Sequence, residues 1–121
     1  MTRDKSASDY EITSDGIGTF MFARRNMRDQ FRIQAEYARL TEGVSPIPVD
    51  LDIAAQAVAC LNVLTVSAPA GWDIAAMDPL EEESYAKILQ VYGAVRAREE
   101  SFRRGDKKDG APAGQGKVVD S

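Results

Sequence analysis

The chain has no histidine and a single cysteine. Without imidazole, neither a Cys-His nucleophile nor a histidine general base can be assembled from these residues, and most zinc ligand sets are excluded with it. One cysteine leaves no intramolecular disulfide framework and suits a reducing compartment. Cys60 sits in the apolar run Ala57-Val58-Ala59-Cys60-Leu61, so it is expected as a small core residue. A long uninterrupted apolar run is also missing. Ile53 to Ala70 comes nearest, but Gln56, Asn62, Thr65 and Ser67 break it, which predicts a buried helix and no membrane span. The opening Met1-Thr2-Arg3-Asp4-Lys5-Ser6 lacks the apolar stretch of a signal peptide, so a cytoplasmic protein is expected. A net charge of −4 argues against nucleic acid or an anionic membrane as partner. Gly16-Ile17-Gly18 lacks the further glycine and the lysine of a phosphate loop. The acids Asp73, Asp78, Glu81, Glu82 and Glu83 fall at or just before a helix start, where the helix dipole accounts for them without catalysis or metal binding. The expectation is therefore no catalytic residue, no cofactor and no metal.

What is there organises into one domain. The 121 residues, 44% hydrophobic and 28% charged, divide into a flexible N-terminus (1–9), a helical domain (10–104) and a disordered tail (105–121) rich in glycine and charge. Two β-prone runs flank Ser14-Asp15-Gly16, which predicts an N-terminal hairpin with an exposed edge. Asn26 and Asp29 open a helix over about 26–42 that Gly43 terminates. Two prolines, Pro46 and Pro48, separate it from an apolar central helix whose β-branched end, Val63-Leu64-Thr65-Val66, leaves a strand open there. Asp78, Pro79 and Glu81 predict the start of a third helix running to about Arg104, with its charged end projecting beyond the core. The fold expected is mainly α: three helices with an N-terminal hairpin. Its expected core is Phe31, Ala38, Val58, Leu61, Leu64, Trp72, Ile88, Leu89 and Tyr92.

Charge is unevenly distributed. Seven acids (Asp50, Asp52, Asp73, Asp78, Glu81, Glu82 and Glu83) and no Lys or Arg lie between Gly43 and Ala86, while Arg24, Arg25, Arg28 and Arg32 gather around the hairpin exit and the first helix. Arginines near a helix N-terminus oppose its dipole, so another term must favour them. That term is pairing with the acidic middle of the chain, solvation, or contact with an acidic partner or a neighbouring copy. The residues singled out for protein contact are Phe20, Phe22, Arg24, Arg25, Arg28, Arg32 and Arg39.

Phe20-Met21-Phe22-Ala23-Arg24-Arg25, Arg28-Asp29, Glu36 to Gly43, Leu64 to Asp73, Asp78-Pro79-Leu80 and Glu99 to Arg104 together resemble the small tail assembly chaperones of long-tailed bacteriophages and prophages, over residues 18–104. The resemblance implies a non-enzymatic helper in the bacterial host cytoplasm, absent from the mature virion. It would bind the tape measure protein and help recruit tail tube protein. Apart from the resemblance, a homo-oligomer is a further expectation. Outside that resemblance stand a minor connector protein of the tail and a small helical regulator. The two-proline connector and the acidic balance speak against a regulator that reads DNA.

Overall fold

The computed structural model describes residues 5–104; the expected disordered tail, 105–121, lies outside them, as do residues 1–4. Strands β1 (Tyr10–Ser14) and β2 (Gly18–Phe22) form an antiparallel hairpin with Tyr10 opposite Phe22 and Ser14 opposite Gly18. Tyr10, Ile12, Phe20 and Phe22 alternate inward, as a half-buried strand requires. Gly16 takes φ +77 at the turn, where a side chain would strain the backbone. Gly18 has a second constraint: a Cβ there would come 2.6 Å from the Pro69 side chain.

Helix α1 (Met27–Thr41) begins at the expected capping box. Asn26 Oδ1 accepts from the Asp29 amide at 2.8 Å, and Asp29 Oδ2 accepts from the Asn26 amide at 3.2 Å. It ends on two left-handed residues, Glu42 and Gly43. Helix α2 (Val49–Leu64) passes directly into β3 (Thr65–Ser67), which pairs antiparallel with β2. Crowded β-branched residues end the helix there, and the Thr65 hydroxyl donates to the Leu61 carbonyl at 2.6 Å. The hairpin is thus part of a three-stranded sheet of order β1-β2-β3: the three expected helices are present, and the sheet makes the fold mixed rather than purely helical. β2 is its central strand, so the edges belong to β1 and β3.

Helix α3 (Glu82–Arg103) starts later than Asp78 and Pro79 suggest. Asp78 instead closes its own turn, its side chain accepting from the Leu80 amide at 2.9 Å and its carbonyl from the Glu81 amide at 2.9 Å. Glu81 precedes the helix and accepts from the Ser84 hydroxyl at 2.7 Å. The far end of α3 does not project. Val95 is buried, and Phe102 meets Tyr10 edge-on at 5.1 Å.

The core joins the inner sheet face to α2 and α3 through Phe20, Phe22, Leu61, Leu64, Ile88, Val91 and Val95. Val58 is buried with them, and Trp72, Leu89 and Tyr92 pack at its margin. Phe31 and Ala38, expected inside, are exposed. Helix α1 packs on α2, while α3 packs on α2 and β1, so α1 is covered on one side only. Ile33, Tyr37 and Leu40 take the covered side, which leaves the stripe containing Met27, Phe31, Ala35 and Ala38 on the opposite one.

Candidate functional site

The hairpin exit delivers Arg25 into a polar junction of all three helices. Its guanidinium donates to both carboxylate oxygens of Glu99 at 3.0 and 3.1 Å, to Gln30 Oε1 at 2.6 Å and to Cys60 Sγ at 3.2 Å. Arg96 Nη1 donates to the same carboxylate at 3.0 Å. One glutamate therefore serves two arginines, a structural clamp with its donors already used. Burial pushes the Cys60 thiol up to about 11, which Arg25 only partly offsets, so the sulfur is not a nucleophile near neutrality. Beside it runs a polar cleft of about 460 Å³, where the Tyr37 hydroxyl donates to Asp52 Oδ1 at 2.5 Å. That bond, seconded by Gln56, holds the Asp52 carboxyl below its ordinary range and ties α1 to α2.

The clamp makes a stability prediction. Arg25 and Glu99 retain 22% and 11% side-chain exposure. The loss on Arg25→Met is therefore set at about 1–3 kcal/mol, below the cost of opening a fully buried pair. Urea denaturation measures it; Arg25→Lys should recover little, because an ammonium cannot reproduce the bidentate fork.

The remaining sites singled out from the sequence separate. Phe20 and Phe22 are wholly buried, stacked with ring centroids 5.5 Å apart, and present nothing to a partner. They alternate onto the covered face of β2, a register the hairpin turn sets. Arg24 lies over the Phe102 ring at 4.1 Å, and Arg39 pairs with Glu36. Arg28 and Arg32 are exposed on α1. None of the arginine ion pairs among the described residues reaches the acids between Asp50 and Glu83. Arg28 and Arg32, and the acids Asp50, Asp73, Asp78, Glu81, Glu82 and Glu83, are exposed.

A second surface escaped the sequence reading. Leu40, Val44, Ile47, Leu51, Met77 and Leu80 line a solvent-open apolar groove of about 680 Å³, with Ala54 and Val58 also lining it. Leu80 is 78% exposed, and Val44 and Leu51 are also exposed. Asp50, Asp73 and Asp78 each adjoin a lining segment in sequence, and among the described residues Arg39, already paired, is the only cation in the lining. The available signal was the all-round apolar character of α2 together with Ile74, Met77 and Leu80 in a connecting segment. A helix apolar on nearly every side needs cover on most of them, and the fold provides it on only part. No helix among the described residues is long and apolar enough to cross a membrane. No family model, curated protein or solved structure matches the chain.

Proposed function

We propose that this chain works by binding proteins without catalysing a reaction, as a tail assembly chaperone of a long-tailed bacteriophage. In this reading it seats an apolar helical segment of the tape measure protein and helps bring tail tube subunits to it in the host cytoplasm. The observation that carries the reading is the apolar groove between the end of α1, α2 and the segment from Ile74 to Leu80. An amphipathic helix binds such a groove through anchors spaced three and four residues apart, and acids beside the groove favour a client with basic flanks. The absence of histidine and the buried thiol of Cys60 agree with a binding role.

The test is capture of the tape measure protein encoded with this chain. Leu51→Asp combined with Leu80→Asp should weaken capture about tenfold or more, the equivalent of at least one good apolar anchor. Both positions are exposed, so the circular dichroism spectrum should not change. Capture equal to that of the parent chain would overturn the assignment of the groove.

A further inference from the structure

Two arginines at the end of the molecule away from the groove are held by aromatic rings instead of carboxylates. The Arg24 guanidinium lies 4.1 Å from the centroid of Phe102, and that of Arg98 lies 5.5 Å from the centroid of Tyr10. The two rings meet edge-on with centroids 5.1 Å apart, so both guanidiniums rest on one aromatic pair. A cation over a ring face is held in place while its in-plane N–H groups stay available to an acceptor. The neighbouring acids are already engaged. Glu99 accepts from Arg25 and Arg96, Glu100 pairs with Arg103 and Arg104, and Asp9 accepts from the Ser6 amide at 2.8 Å. Among the described residues no carboxylate pairs with Arg24 or Arg98. Arg24 is exposed and Arg98 partly so.

We propose that Arg24 and Arg98 form a docking site for an acidic segment of a partner protein, one whose carboxylates lie within a turn or two of each other. Each guanidinium offers a planar fork that a carboxylate meets with two parallel hydrogen bonds. Nucleic acid fits the site less well. Tyr10 is buried and Phe102 carries a guanidinium on its face, which leaves little ring for a base to stack on, and a net charge of −4 repels a long polyanion beyond the site. Arg24 precedes α1 and Arg98 lies near the end of α3, whereas the groove takes the end of α1 and the segment leading into α3. The length of a helix thus separates the two surfaces, and both can be filled at once. The arginine site stands or falls without the tape measure reading, because its test uses neither the groove nor that client.

Titration of the isotope-labelled full chain with decaglutamate, read by NMR at the arginine Nε–H and backbone amide signals, tests the proposal. The Arg24 and Arg98 signals should shift together and saturate with a dissociation constant of about 1 mM, as befits exposed charge pairs that are individually weak. At about 0.5 M salt, where the Debye length falls to a few ångströms, the constant should rise several-fold. Arg24→Gln combined with Arg98→Gln should weaken binding about fivefold or more. Arg28→Gln combined with Arg32→Gln removes the same charge from α1 and should change it less than about twofold. Arg24→Lys with Arg98→Lys keeps the charge and loses the fork, so it should lose most of the same affinity; it also stands in for the glutamine pair if that variant unfolds. Signals that stay still up to about 10 mM peptide would overturn the proposal. So would equal losses from the two glutamine pairs, full binding by the lysine pair, or an oligothymidylate of equal length that binds more tightly than decaglutamate.

Discussion

Phe22→Ala is expected to destabilise the protein by about 3–5 kcal/mol. Phe22 lies on the central strand, opposite Tyr10 on one side and Thr65 on the other. Its ring is fully buried, stacks on Phe20 at an interplanar angle of 11° and approaches Tyr10 with centroids 6.1 Å apart. Truncation removes the ring that packs on Phe20 and Tyr10, and a cavity enclosed by sheet and helices cannot close without moving them. Domains of this size have only about 5–15 kcal/mol of stability, so the variant should sit near its unfolding transition at ambient temperature. Urea denaturation followed by circular dichroism gives the value. A loss below about 1 kcal/mol would be that of an ordinary surface substitution and would remove Phe22 from the core.

Leu61→Ala should cost about 2–5 kcal/mol for a related reason. Leu61 is buried on α2, the helix against which both α1 and α3 pack, and its backbone carbonyl holds the Thr65 hydroxyl where helix becomes strand. Deleting its side chain opens the meeting place of both helix interfaces. Phe31→Ala supplies the contrast. A larger side chain is removed, but from an exposed position, and thermal unfolding should move by no more than about 0.5 kcal/mol equivalent. If Phe31 proved the costlier truncation, the assignment of the two faces of α1 would be reversed.

That assignment marks where the sequence stops being informative. Caps and turns are local, so the Asn26–Asp29 capping box and the Asp15-Gly16 turn are legible from a few residues. The central position of Leu61 and Leu64 is legible because α2 from Ile53 onward is apolar on nearly every side. Helix α1 carries two apolar stripes, and periodicity gives no means of choosing between them; the choice depends on α2 covering one side and α3 lying elsewhere. The start of α3 misled for a similar reason: Asp-Pro serves a turn as well as a helix cap, and the Asp78 side chain serves the turn. The groove was hidden because its walls come from three segments distant in sequence, none amphipathic enough alone to announce an uncovered face. Arg25 was singled out as a surface contact, yet its role is internal; a charge contributed by Glu99, 74 positions away, decides that, and no local pattern encodes such a pairing.

The buried thiol also gives the molecule an internal reporter of opening. Cys60 is the sole cysteine and is covered by the clamp at the meeting point of the three helices. Cys60 borders the polar cleft but is only 2% exposed, so parting of those helices should speed alkylation, and the raised pKa slows reaction while they remain together. Labelling therefore reports on opening. Because the thiol is unique, each modified molecule carries one tag. Where reaction outpaces reclosing the rate is the opening rate, and where reclosing is faster it follows the open population, in dilute buffer or in a crowded lysate, without a denaturant and without a dye attached beforehand.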